Sequence, residues 1–302
     1  MWFTLDMNSI ELSAGVIEYE DRAGPGPALV FLHGLLMDET LWTAVADDLA
    51  PGRRCVIPVL PMGAHRTGMH PDADLSPHGI AALVAEFLAA LDLRDVILVG
   101  NDTGGMLVQL LMADGPAERI GGAVLVSCDA FGNFPPGLTG RTLFLTGKLP
   151  PALFGMFMQQ MRLKLVRRLP LAFGWLTKRG DTVVKRWMRP IWRQREIRRD
   201  TVRVLRAAAA DRDVLTVAAG KLDRFDRPTL IVWAQRDRVM PPEHGRRLAE
   251  LIPGARLVEV EDSYTLVPLD QPARLAAEIR SFVGEVDGSS AAKTPLLLRP
   301  DE

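Results

Sequence analysis

An apolar run, Val96-Ile-Leu-Val, breaks at Gly100-Asn-Asp-Thr-Gly-Gly and resumes as Met106-Leu-Val-Gln-Leu. A strand-like run that passes through G-x-D-x-G into a helix-like run fits a sharp strand-to-helix turn. Such a turn forces its middle side chain out of the backbone and leaves the next N–H free to stabilise an oxyanion. Gly100 and Gly104 fall where a Cβ would collide with the neighbouring strand or helix in so tight a bend. The exposed group is the carboxylate of Asp102, followed by Thr103. The plain alternative is an ordinary turn in which Asp102 only caps the helix.

Two further segments weigh against the plain alternative. Leu29-Val-Phe-Leu-His-Gly-Leu is a buried-type strand ending in His33-Gly34, and Thr229-Leu-Ile-Val-Trp-Ala-Gln-Arg-Asp is a second such strand followed by an acidic loop. With these segments the chain, from about Gly15 to Val283, resembles the α/β-hydrolase family, and Asp at the elbow resembles its epoxide hydrolases and haloalkane dehalogenases. The resemblance implies that Leu35 and Thr103 supply the oxyanion-hole N–H groups, Asp102 the nucleophile and Asp237 the acid. Some dehalogenases carry their acid after the preceding strand, where Val124-Leu-Val-Ser-Cys-Asp offers Asp129. Both acids stay open.

The resemblance fails at one place. Counting back from Asp270-Gln-Pro272 puts Thr265 where the family has its catalytic histidine, and Tyr264 where it has a glycine. An aspartyl ester is cleaved by water that a base activates, and neither Thr nor Tyr is a base near neutral pH. Of the five histidines, His33 belongs to the oxyanion turn, while His70, His78 and His244 fall in surface-type stretches. His65, in a loop after the strand Cys55 to Pro58, is the one expected near the mouth of the site. His33, Trp42, Phe131 and Tyr264 are expected to border the pocket.

The usual epoxide hydrolase protonates its leaving oxygen with two cap tyrosines, but the tyrosines here are Tyr19, in an N-terminal strand, and Tyr264. Dehalogenases hold the halide with Trp after the nucleophile and Asn after H-G, where this chain has Thr103 and Leu35. Both subclasses match poorly, although Trp175, Trp187 or Trp192 offers one halide donor.

The fold implied is α/β: a mostly parallel sheet with helices on both faces and an inserted helical cap. Strands are predicted near Val16 to Glu20, Ala28 to Leu32, Cys55 to Pro58, Val96 to Gly100, Ala123 to Ser127, Thr229 to Trp233 and Arg256 to Val260. Helices are predicted over Ile80 to Leu91, Gly105 to Ala113, Glu243 to Leu251 and Ala273 to Phe282. The core comprises 1–130 and 228–285, the cap 131–227, and 286–302 reads as a disordered tail.

Between Arg141 and Arg227 there are 21 Lys+Arg and 7 Asp+Glu, a balance of +14 in a chain whose total is −1. Such a lid suits an anionic substrate, an acidic carrier protein or a membrane surface, or packs by complementarity on its own acidic core. The Met-rich, amphipathic stretch Phe154 to Arg168 suits a pliable pocket wall or peripheral membrane contact. Nucleic acid is not expected, because no binding module accompanies the charge.

Two cysteines, both in strand-like runs, exclude a disulfide framework and fit a reducing cytoplasm. The N-terminus has neither a signal-peptide pattern nor a spanning segment. Without a Gly-rich phosphate loop or a His/Cys cluster at ligand spacing, neither cofactor nor metal is expected. The function implied is an enzyme on a mostly apolar small molecule, hydrolytic by default through Asp102. The alternatives are a cyclase, lyase or isomerase using Asp102 as acid/base, and a non-catalytic binding protein.

Overall fold

The computed structural model describes residues 7–293. Eight strands form one sheet: β1 (Asn8–Leu12), β2 (Gly15–Arg22), β3 (Leu29–Leu32), β4 (Cys55–Pro58), β5 (Val96–Asp102), β6 (Ile120–Cys128), β7 (Thr229–Ala234) and β8 (Arg256–Val260). Their order is β1-β2-β4-β3-β5-β6-β7-β8, antiparallel from β1 to β4 and parallel from there on. Strands β3 to β7 are buried almost throughout, as apolar runs in a parallel sheet covered on both faces must be.

From β3 the chain steps outward on one side to β4, then returns to lay β5 on the other flank of β3. This reversal opens a crevice at the C-terminal ends of β3 and β5, where ligands bind in open α/β sheets. The His33-Gly34-Leu35 turn and Asp102 both emerge there. The helix Thr103–Asp114 that follows is buried over nearly its whole length, which accounts for its uniformly apolar sequence. Between β6 and β7 the chain runs through helices from Gly137–Thr146 to Val214–Ala219.

Several elements depart from the sequence reading, the short helix Val267–Asp270 among them. The edge strand β1 was not predicted, since it is short and largely exposed. The helix Thr43–Leu49 was also missed; it carries only a few buried residues after the His33 turn. The final helix spans Pro272–Lys293, so the expected tail from 286 is helical up to Lys293; Gly288 and the serines sit inside a helix already nucleated by its buried N-terminal half. The rest of that expected tail lies outside the described residues.

Candidate active site

Asp102 has φ 57° and ψ −128°, a conformation that costs a non-glycine residue about 1–3 kcal/mol and persists only where the surroundings impose it. The surroundings are tight. A Cβ on Gly100 would overlap the Gly104 carbonyl, and one on Gly104 would overlap the Leu32 carbonyl at the end of β3. The strand therefore turns abruptly, and the Asp102 side chain is thrown forward over the β3 turn, where a Cβ on Gly34 would overlap Asp102 Oδ1.

The two N–H groups expected to line an oxyanion hole meet this carboxylate. Thr103 N–H donates to Asp102 Oδ1 at 2.7 Å, and the Leu35 N–H faces the carboxylate and helps to hold its pKa down. The Thr103 hydroxyl lies 3.0 Å from the same Oδ1. Burial raises the Asp102 pKa from the usual carboxylate range, and the Thr103 and Leu35 hydrogen bonds oppose that rise.

Asp129, at the end of β6, enters the same space and is fully buried. Its Oδ2 is 3.2 Å from the Thr103 hydroxyl, its Oδ1 has no partner among the described residues, and Gln109 Nε2 holds its backbone carbonyl at 2.7 Å. Burial, and then the Asp102 charge, push its pKa well above the ordinary value. Thr103 has one hydroxyl proton and cannot donate it to both carboxylates. With a proton on Asp129, that carboxyl donates to Thr103 Oγ1 and Thr103 donates onward to Asp102, so the one hydroxyl serves both carboxyls.

Asp237 does not line this space. Its Oδ1 accepts from Val239 N–H at 2.9 Å, Met240 N–H at 2.8 Å and the Thr265 hydroxyl at 2.8 Å. Burial lifts its pKa to about 6 against those hydrogen bonds. Thr265 is itself fully buried, and its carbonyl accepts from Asn101 Nδ2 at 2.8 Å, which also reaches the Val126 carbonyl of β6. Thr265 and Asp237 are thus brought together behind the elbow. Asp129 is the acid that shares the cavity with Asp102.

Four expected residues lie elsewhere, and so does His65. The His65 ring faces Asp200 of the helix Arg195–Ala210, Nε2 to Oδ2 at 3.6 Å, and its Nδ1 lies 3.3 Å from Gly63 N–H. It is turned to that helix and does not line the cavity. His33 also stays out of the pocket: Nε2 accepts from Leu60 N–H at 2.9 Å and Nδ1 lies 2.8 Å from the Gly34 carbonyl, so the ring is neutral with Nδ1–H donating. Burial lowers its pKa to about 4. Trp42 is core, tilted against Phe31 at 5.0 Å. Phe131 packs between His244 and Arg247, away from the cavity. Tyr264 lies between the Lys178 and Arg238 cations.

The cavity over Asp102 measures about 270 Å³. Its walls come from the β3 turn, Met62, Ile80, Met106 and the helices between Gly137 and Ala208, with Leu143, Met161 and Phe173 among them. Among the residues lining it, Asp102 and Asp129 are the titratable groups; the remaining polar ones are threonines and Gln160. Met62, Met106 and Val204 carried no signal in the sequence that set them apart from core residues.

Part of the basic charge of the helical segment rests on acids of the sheet domain. Arg186 reaches Asp38 at 3.4 Å and Glu39 at 2.8 Å, Lys221 reaches Asp114 at 2.6 Å, and Lys178 pairs with Asp262. Arg167 is buried against Asp181 at 3.1 Å.

Residues 27–272 match the family described as alpha/beta hydrolase fold. A haloalkane dehalogenase of Mesorhizobium japonicum is 32% identical over 114 residues, 38% of this chain and 36% of that protein, so the match spans about a third of the relative. A rhodomycin D methylesterase of Streptomyces peucetius is 30% identical over 232 residues, 69% of this chain and 74% of the relative. Among solved structures, a haloalkane dehalogenase loop variant from Bradyrhizobium elkanii superposes with a TM-score of 0.77 at 16% identity, covering 96% of this chain and 99% of that one. A thermophilic esterase from Thermogutta terrifontis gives 0.68 at 21% identity over 93% and 99% of the two chains. With the elbow on β5, the sheet order and this match over most of its length, the chain belongs to the α/β-hydrolase family.

Proposed function

We propose that this chain is an enzyme that opens a strained carbon–oxygen bond, as in an epoxide or small lactone, of a mostly apolar molecule, with Asp102 as nucleophile and Asp129 as the acid and base. The observation that carries the reading is that the Asp102 carboxylate itself sits at the oxyanion-hole position, its Oδ1 accepting from the Thr103 N–H and the Leu35 N–H facing the group. In an esterase with a serine at this position the substrate's own carbonyl oxygen would go there. Here the hole stabilises the enzyme's carboxyl oxygen and leaves the other oxygen to attack.

The Thr103 N–H and hydroxyl reach Asp102 and the Leu35 N–H faces it, while among the described residues the Thr103 hydroxyl alone reaches the Asp129 side chain, so of the pair Asp102 ionises and Asp129 keeps the proton. Asp102 attacks carbon, the carbon–oxygen bond breaks, and the leaving oxygen takes the proton from Asp129. Asp129, now ionised, accepts a proton from water, whose oxygen adds to the Asp102 ester carbonyl with the negative oxygen held by Leu35 and Thr103. Collapse expels the alcohol oxygen, which takes the proton back from Asp129, and leaves Asp102 protonated. Transfer from Asp102 to Asp129 through the Thr103 hydroxyl restores the starting state. One carboxyl thus acts as acid and then base, as in retaining glycosidases.

A halide leaves without a proton and would leave Asp129 protonated, unable to activate water. The apolar walls fit a substrate without charge. The same Asp102–Thr103–Asp129 chain supports a second reading, proton transfer in a cyclisation or isomerisation with no ester.

Intact-protein mass after incubation with apolar epoxides and lactones separates these readings. The nucleophile account expects an adduct in Asp129→Asn that is absent in Asp102→Asn. Solvent-proton exchange into a substrate without any adduct, in either protein, would favour the second reading. Neither adduct nor exchange would point to a binding protein.

A further inference from the structure

The chain carries no Asp or Glu from Ala130 to Gly180, while the same stretch holds eight Lys and Arg. Three of those cations are committed, Arg167 to Asp181 and both Lys178 and Arg179 to Asp262. Arg141, Lys148, Arg162, Lys164 and Arg168 are exposed, and no ion pair is formed by them among the described residues.

The exposed large apolar side chains collect in the same place. Nine of the ten, including Leu145, Met156, Leu163 and Leu165, fall between Leu138 and Leu171, with exposures up to 76%. Soluble chains scatter such residues singly; a contiguous set rimmed by cations marks an interaction surface. Phe157, Leu169 and Leu171 belong both to this exposed set and to the lining of the cavity over Asp102. The apolar patch therefore continues into the site.

We infer that this face docks on the surface of an anionic bilayer, with the leucines and Met156 in the acyl boundary and the five unpaired cations on the lipid headgroups. Apolar side chains beside unopposed Lys and Arg are the composition by which an interfacial surface is held. Docking would open the cavity mouth toward the membrane, so that an apolar substrate enters from the lipid. A soluble acidic protein would complement the cations but leave the leucines in water, and a second copy of this chain would bring cation against cation. The inference uses the apolar character of the proposed substrate but not the role of Asp102. Binding is read without turnover, so its failure and that of the chemistry are separable.

The test is co-sedimentation of the full chain with vesicles of equal parts phosphatidylglycerol and phosphatidylcholine, and with phosphatidylcholine alone. The expected result is binding at least about tenfold tighter to the anionic vesicles. It should weaken steeply as salt rises from about 0.01 M to about 1 M, which shortens the screening length from about 30 Å to about 3 Å. Both Leu163→Ser/Leu165→Ser and Arg162→Gln/Lys164→Gln should lose it with unchanged circular dichroism and melting. These positions are exposed, so folding should tolerate either pair. No binding to anionic vesicles would overturn the inference. So would equal binding of the leucine variant, which would leave charge alone, or a dimer by light scattering that Leu163→Ser/Leu165→Ser converts to monomer.

Discussion

The Thr265 hydroxyl donates to Asp237 Oδ1 at 2.8 Å, so the position where the family resemblance calls for a histidine holds a group whose proton stays in place near neutrality. The pair has a structural consequence. It ties the loop after β8 to the loop after β7, and Asn101 adds the elbow to the same knot through the Thr265 carbonyl.

Thr265→Val should therefore cost about 1–2 kcal/mol of stability, from one lost hydrogen bond to a buried carboxylate, with turnover little changed. Thermal melting and steady-state rates check it together. A large loss of rate with stability intact would place Thr265 in the chemistry.

Asp129→Asn should do the opposite. Asn fills the same space but neither gives nor takes the proton, so both halves of the reaction slow, by about 10²–10⁴ where acid–base help is lost. Melting temperature should hold or rise, because a buried carboxyl with no partner on Oδ1 is removed. Single-turnover kinetics should show the Asp102 ester persisting.

Attack requires Asp102 ionised and Asp129 protonated. Both groups have raised values, Asp129 well above the usual range. Rate should climb with pH as Asp102 loses its proton and fall again as Asp129 does, the two limbs being properties of the coupled pair. Asp129→Asn should lose the alkaline fall and keep the acid limb, as measured by the pH dependence of adduct formation.

Asp237 gives a separate pH effect on stability. Its folded value, about 6, lies above the ordinary value of 3.8, so the folded state binds the proton more tightly than the unfolded one. Stability from this group is greatest below the unfolded value and declines as pH rises from there through about 6. Asp237→Asn keeps an oxygen acceptor for Val239, Met240 and Thr265 and has no charge to bury. It should be more stable than the parent at pH 7 by about 3 kcal/mol, with the difference vanishing below about pH 3. Urea unfolding of both proteins across this range checks the sign.

The fold was legible because β3 to β7 are apolar runs, with β3 and β5 ending in glycine turns, and because the elbow is a local pattern whose stereochemistry follows from Gly100 and Gly104. Asp129 was also visible as a strand-end carboxylate. Its bridge to Asp102 through Thr103 was not, since it depends on the β5–β6 register and on the helix packed beneath it. His65 misled for the same reason: its loop is near the site in the chain's topology, but Asp200, 135 residues away, takes the ring. Trp42, Phe131 and Tyr264 were read from adjacency to motifs, and which way a side chain next to a turn points is decided by packing.

The central claim is that a carboxyl oxygen of Asp102 becomes bonded to substrate carbon and is later replaced from water. A single turnover of an apolar epoxide in ¹⁸O-water, followed by peptide mass analysis, tests this most directly. The account predicts that the heavy oxygen enters the peptide containing Asp102 and that the diol of this first turnover carries only light oxygen. Heavy oxygen in the diol with an unlabelled Asp102 peptide would contradict it.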